Sequence, residues 1–411
     1  MYSKWRNLLS CAIFLPVLVS AVQRPLVPGL DDIINHPPQN LDDIARIIRG
    51  IEGGEALPGM LQPGMQKPKG DGEEQGQGQS NPAGPKPADG SGNRAKQQQH
   101  ERIPVAHIPK PKPGALVEGF YQQSCPQAEK IVSEVMNTNF QKDPTLAPAL
   151  IRLFFHDCFI TGCDASILLD RTPMGGPVEK EAPQNGKFVR GFEPLDEAKA
   201  RLESECPGVV SCADLLAFAN RDSLVFTGVP TYPVPVGRRD ARASLMKDAE
   251  DGLPFPETTS QEMIRMFEAR GLTVEEMVVL IGAHSVGSAH CTVVAGRFRD
   301  PGKAAAIDRG YLMKMQVMTA CVNETQELAF DPLTQQKMDS RFYKELLKNR
   351  SLLESDQNLV NEPSANLIMR KYADDQKGWL DKFVAAVTKV GGLEVLTGDQ
   401  GEIRRQCRVV N

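Results

Sequence analysis

The chain opens with an apolar run from Leu8 to Val19, preceded by Lys4 and Arg6. The run is about 12 residues long, against the roughly 20 that a membrane-spanning helix needs. Val19 and Ala21 are small residues at signal-peptidase spacing, so residues 1–21 are expected to be a cleaved secretory signal. Beyond it apolar positions thin out until about Ala115, with one island. Leu30-Asp31-Asp32-Ile33 recurs as Leu41-Asp42-Asp43-Ile44. Asn40 as a cap, Leu41, Ile44, Ile47, Ile48 and Ile51 on one face, and Gly50 at the end predict a short helix. It reads as a docking motif, a pro-segment or a transient helix. From about 115 onward helical periodicity dominates. Thr259-Ser260-Gln261-Glu262 is a capping box ahead of Met263, Met266 and Phe267, with Gly271 as a stop. Thr273-Val274-Glu275-Glu276 is a second box. The helix it starts puts Met277, Leu280, Ile281 and His284 at i, i+3, i+4 and i+7, so His284 is expected on an apolar face. Strand-like alternation is rare, and Tyr232–Val236 is the main candidate. The expected class is a mainly α domain with short hairpins and loops.

Composition divides the 411 residues in three. Residues 22–115 contain no Phe, Tyr, Trp or Cys, 28 of them are Pro or Gly, and eleven basic residues balance eleven acidic ones. Such a segment buries too little to offset chain entropy, so it is expected to be a low-complexity, largely disordered extension. Pro109, Pro111 and Pro113 predict a stiff spacer at its end. The remaining 116–411 form the expected folded domain, with 34 basic against 41 acidic residues. That acidity argues against nucleic-acid binding and against charge-driven adhesion to anionic wall polymers. No further membrane segment is expected once the signal has left.

Of nine cysteines, Cys11 leaves with the signal. Eight remain, an even set that in a secreted chain implies four disulfides; sequence alone leaves on the order of a hundred pairings open. Asn323 and Asn349 lie in glycosylation sequons.

The stretch Pro148–Phe159 carries the chemistry. Arg152 and His156 are four apart, hence on one helical face, with Phe155 beside them. A cation on an apolar stripe is costly to bury unless a cavity needs its charge. A neutral imidazole one turn away can take and return a proton, and the guanidinium can stabilise a leaving oxygen. Together they could split a peroxide. The missing electron source points to a metal cofactor held by another histidine.

Arg152-Leu153-Phe154-Phe155-His156-Asp157-Cys158-Phe159, followed by Gly162-Cys163-Asp164-Ala165-Ser166, resembles the distal signature of secretory plant haem peroxidases (class III). Gly282-Ala283-His284-Ser285-Val286-Gly287 resembles their proximal motif. Cys206-Pro207, Ser211-Cys212-Ala213-Asp214, Gly237-Arg238-Arg239-Asp240 and Gly401-Glu402-Ile403-Arg404 match as well, in family order. The resemblance spans about 116–411; residues 22–115 have no counterpart in the usual member.

It implies a two-lobed helical fold with haem b between a distal and a proximal lobe, and two calcium ions. His156 would be the distal acid/base and Arg152 the charge stabiliser. Phe155 would shield the iron edge. Asn185 would hold His156, with Glu179 extending that chain. His284 would be the axial iron ligand and Asp356 the acceptor of its other N–H. Distal calcium would take Asp157, Ile160 (carbonyl), Gly162, Asp164 and Ser166. Proximal calcium would take Ser285, where most members have Thr, with Asp331, Thr334, Lys337 (carbonyl) and Asp339. Pro254, in Leu253-Pro254-Phe255-Pro256, would contact aromatic donors, and Val293 stands where many members carry an aromatic residue. The implied disulfides are Cys125–Cys206, Cys158–Cys163, Cys212–Cys407 and Cys291–Cys321.

The activity implied is reduction of hydrogen peroxide with one-electron oxidation of small phenols, by a monomer outside the cell in the wall space, or less expectedly the vacuole. The extension could contact the wall. Two other readings compete with it: a non-catalytic secreted binding protein on the same scaffold, and an intracellular peroxidase of the ascorbate or cytochrome c type. The second lacks the signal and the eight cysteines.

Overall fold

The structure, a computed structural model, describes residues 115–319, 321 and 323–411. The expected signal, the Leu-Asp-Asp-Ile island and the proline spacer lie outside the described residues.

Two long helices open the fold, α1 (Ala128–Lys142) and α2 (Leu146–Ile160). Then come α3 (Phe192–Glu205), α4 (Cys212–Phe226) and α5 (Met246–Gly252). The second half begins with α6 (Ser260–Ala269) and α7 (Val274–Ile281), followed by α8 (Cys291–Arg299), α9 (Pro301–Ala304) and α10 (Arg309–Met318). It closes with α11 (Arg341–Leu346), α12 (Glu354–Asn358), α13 (Pro363–Asp374) and α14 (Gln376–Val390). The only named strands among the described residues, β1 (Ser288–His290) and β2 (Glu327–Ala329), pair antiparallel with Ser288 opposite Ala329.

Local sequence explains the helix starts. Thr259 and Glu262 cap α6 reciprocally, as do Thr273 and Glu276 on α7. Ser211 accepts the Asp214 N–H at the start of α4. Helix α2 is apolar nearly all round because it runs through the core: Leu150, Leu153, Phe154 and Phe159 are buried, and its main packing partner is α4.

Two expectations need correction. Tyr232–Val236 is not a strand; Val236 alone forms an isolated bridge, to Val117. Pro233 and Pro235 remove the N–H donors that a ladder would use. His284 is not on the α-helix either. Helix α7 ends at Ile281 and His284 rides a 3-10 turn, Gly282–Ser285. Gly282 permits that turn: a Cβ there would lie 2.4 Å from the Tyr343 hydroxyl and 2.7 Å from the Trp379 ring.

Four disulfides close, Cys125–Cys206, Cys158–Cys163, Cys212–Cys407 and Cys291–Cys321, the pairs the resemblance implied. Cys158–Cys163 staples the end of α2 to the loop after it. Two motifs remote in sequence meet at an Asp240–Glu402 bridge. There the Asp240 carboxylate accepts the backbone N–H groups of Cys212, Ala213 and Arg404. Arg404 in turn donates to the Ala165 carbonyl at 2.6 Å, so the C-terminal segment holds the loop behind α2. No described helix is long and apolar enough to cross a membrane.

Candidate active site

The core lays α2 so that Arg152 and His156 share an open face. His156 Nδ1–H donates to Asn185 Oδ1 at 2.7 Å, and Asn185 Nδ2 donates to the Glu179 carbonyl at 2.5 Å. Asn185 is 2% exposed, so its amide is fixed. With Nδ1 carrying the proton, Nε2 is the free, basic nitrogen. Burial, then the charge of Arg152, holds the His156 pKa well below the usual imidazole value. The ring is therefore neutral at pH 7. Arg152 presents open surface, and its guanidinium donates to the Gln184 carbonyl at 2.7 Å and to the Asn185 carbonyl at 3.3 Å. The protein walls lower its pKa to about 10, which leaves it cationic. Phe155 stacks on Phe159 at 4.8 Å and lies edge-on to His156, walling one side.

The second histidine is built differently. His284 Nδ1–H faces both carboxylate oxygens of Asp356, at 3.0 and 3.1 Å. Asp356 is 1% exposed. Phe330 stacks on the His284 ring at 4.6 Å. The ring remains partly open. An imidazole whose Nδ1 is tied to a buried carboxylate and whose Nε2 is free is the donor an axial iron site needs. The residues fit haem.

The distal loop also fits a hard cation. Asp157, Asp164 and Glu179 are buried together, and their carboxyls are pushed up, chiefly by burial and also by acidic neighbours, Asp164 to about 6. Ser166 Oγ and Glu179 Oε2 are buried with no hydrogen-bond partner. Gly162 has φ +106°, and a Cβ there would lie 2.4 Å from the Glu394 carbonyl. No group of three or more His, Cys, Asp or Glu converges on a metal position among the described residues. A cation here would therefore need carbonyl and hydroxyl oxygens, as calcium accepts. The Ile160 carbonyl, however, accepts from the Arg270 guanidinium, so a cation must compete for it.

The proximal set is less open. Asp331 already accepts the N–H groups of Leu333 and Thr334 and the Thr334 hydroxyl. Asp339 accepts the Arg341 N–H. The Lys337 N–H donates to the Thr334 carbonyl. Ser285 Oγ points at Met338 Sδ, 3.3 Å away, a weak acceptor readily given up. Pro254 is half-buried beside Phe255, which is 47% exposed, and Val293 is 51% exposed. Asn323 and Asn349 are both exposed.

Sequence reasoning missed three features. Arg270, just past the end of α6, donates to the Ile160 carbonyl at the end of α2. Phe330 covers the His284 ring. A cavity of about 390 Å³ is lined by Thr145, Phe188, Val189, Arg190, His290, Thr325 and Glu327, with Phe188 stacked on His290 at 4.0 Å. Burial, and behind it the charges of Arg152 and Arg190, lowers the His290 pKa against the pull of Glu327. These contacts join residues far apart in the chain, and only the isolated aromatics near the motifs hinted at them.

Comparison with known proteins agrees with this geometry. The sequence profile of the family described as Peroxidase matches residues 132–375. Peroxidase 5 of Vitis vinifera is 42% identical over 302 residues, covering 72% of this chain and 92% of that protein. Peroxidase 39 of Arabidopsis thaliana is 40% identical over 307 residues, covering 72% and 93%. Peroxidase 1 of Zea mays is 41% identical over 305 residues, covering 71% and 82%. The chain belongs to the peroxidase family, in the plant class III branch that its motifs resemble. It is a haem-dependent peroxidase with the mainly helical, four-disulfide fold of that branch, and nothing favours the non-catalytic alternative.

Proposed function

We propose that this protein reduces hydrogen peroxide and oxidises phenolic donors one electron at a time, with His156 and Arg152 as the proton- and charge-handling pair and His284 as the residue that would hold a haem b. Haem iron, when bound, would supply the redox chemistry between peroxide and the one-electron donors. The chain's residues handle the protons. His156 Nε2 takes the proton from one peroxide oxygen and delivers it to the other, which leaves as water. Arg152 offsets the negative charge that develops on the leaving oxygen. Asn185 keeps His156 in the right tautomer, and Asp356 makes His284 electron-rich. Phe155 keeps bulky donors from the iron, and small phenols rest near Pro254.

Asp157, Gly162, Asp164 and Ser166 would hold one calcium, with Ile160 if Arg270 yields. Ser285, Asp331, Thr334, Lys337 and Asp339 would hold the second. The chain is proposed to act as a monomer outside the cell, after loss of residues 1–21 and with sugar on Asn323 and Asn349. Residues 22–115 would serve as its wall contact. The acidic domain 116–411 is poorly suited to that contact by charge.

The observation carrying this reading is the pair of Nδ1 hydrogen bonds, to an amide at His156 and to a carboxylate at His284. The test is a Soret band together with peroxide-dependent guaiacol oxidation in the calcium-loaded protein. Folded protein that takes up no haem would contradict it.

A further inference from the structure

Aromatic side chains lead away from His284 into the proximal core. Phe342 lies edge-on to the His284 ring at 6.2 Å, Tyr343 follows at 5.6 Å, and Trp379 meets Tyr343 at 5.6 Å. Tyr343 and Trp379 are fully buried, and both press on Gly282, two residues before His284. Their polar groups donate to the backbone carbonyls of Val278 and Val279, which cannot accept a proton. Neither side chain can therefore easily lose a proton on oxidation.

Tyr372 can. It sits on α13, which packs against the Tyr343 helix α11 and against α7. Its ring is 1% exposed, and its hydroxyl donates to Glu275 Oε1 at 2.7 Å. Glu275 reaches solvent, flanked by Lys371 at 3.5 Å and Lys382 at 3.8 Å. The Tyr372 hydrogen bond comes first among the causes that hold the Glu275 carboxyl below its usual range, so it is an ionised acceptor.

Tyr121 is the instructive contrast. It too donates to a carboxylate, Asp214 at 2.6 Å, but Asp214 already accepts from the Arg238 side chain and from the Gly237 and Arg238 N–H groups. Its ring neighbours are Phe120 and Phe218, which lead to neither histidine.

We propose that Tyr372 and Glu275 form a second, protein-based oxidation site, fed from the His284 side through Phe342, Tyr343 and Trp379, for phenolic donors too large to enter the haem cleft. The proposal rests on the haem-peroxidase reading above. One oxidising equivalent of the peroxide reaction removes one electron from Tyr372. Its hydroxyl proton passes to the Glu275 carboxylate, leaving a neutral tyrosyl radical and a glutamic acid. A donor phenol at the surface then returns one electron and releases its own proton to water. The Glu275 proton goes back to the Tyr372 oxygen, and a phenoxy radical leaves.

The experiment is freeze-quench electron paramagnetic resonance on haem-loaded protein after one equivalent of peroxide, without donor. Wild type and Tyr121→Phe should show the same tyrosyl radical, and Tyr372→Phe should lose it. Glu275→Gln should slow its appearance about a hundredfold, the scale of a lost proton acceptor. Guaiacol oxidation should stay within about twofold of wild type in all three variants, and oxidation of a water-soluble phenol-bearing polymer should fall in Tyr372→Phe and Glu275→Gln. A tyrosyl signal that survives Tyr372→Phe, or no tyrosyl signal while guaiacol turns over normally, would overturn the relay. Failure of guaiacol oxidation in wild type would instead overturn the reading on which it rests.

Discussion

The two histidines are the same side chain held by the same nitrogen, yet they are prepared for opposite tasks. His156 gives its Nδ1–H to a neutral amide oxygen and has a guanidinium nearby. His284 gives its Nδ1–H to a buried carboxylate. A neutral acceptor orients the ring without paying out charge to the imidazolium, so His156 stays neutral and can shuttle a proton. A carboxylate pushes electron density into the ring and suits it to bind iron. The lesson is that the acceptor behind each histidine, rather than the histidine, assigns the role.

The largest effects should come from removing the rings themselves. His156→Ala should slow the reaction with peroxide by about 10²–10⁴-fold while the Soret band is retained, read by stopped flow. An unchanged rate would remove His156 from the mechanism. His284→Ala should instead lose haem, and an unaltered haem content and spectrum would contradict the axial role. Arg152→Leu should cost about 10²–10³-fold in the same stopped-flow rate, the scale of one charge-stabilising donor. A smaller effect belongs to the acceptor: Asn185→Leu should cost about 10–100-fold without loss of haem.

The pH profile sharpens the contrast further. Because the His156 pKa is depressed, protonation does not compete near neutrality. The rate with peroxide should stay flat from about pH 8 through the ordinary imidazole value of about 6.5 and fall only well below it. A midpoint at or above about 6.5 would show that burial and Arg152 do not hold the ring neutral. The smallest effect should come from calcium. Chelation should lower the thermal midpoint more when the distal acids are intact than in Asp164→Asn, and equal shifts would argue against calcium at that loop.

How much of this was legible follows chain distance. Arg152, Phe155 and His156 lie on one helix, so spacing brought them together, whereas the role of the loop to Ser166 came from the family resemblance. The capping boxes at Thr259 and Thr273 are local, and both helices start there. His284 was placed on the right side but on the wrong element, because a helical repeat cannot reveal that Tyr343 and Trp379 crowd Gly282. The alternation at Tyr232–Val236 mimics a strand, but Pro233 and Pro235 have no N–H to give to a ladder. Asp356, 72 residues from His284, was reachable only through the family resemblance. Arg270 on the Ile160 carbonyl and Glu275 on Tyr372 were not reachable, since such contacts depend on how separate helices pack.

The central claim is that the charge of the acceptor sets the role of the histidine, and Asn185→Asp tests it most directly. An anionic acceptor at this position would stabilise protonated His156. The rate of the peroxide reaction, followed by stopped flow across pH in haem-loaded protein, should then show its acid limb moved upward relative to wild type, with the rate at pH near 6 lowered. An acid limb that stays where wild type has it would contradict the account.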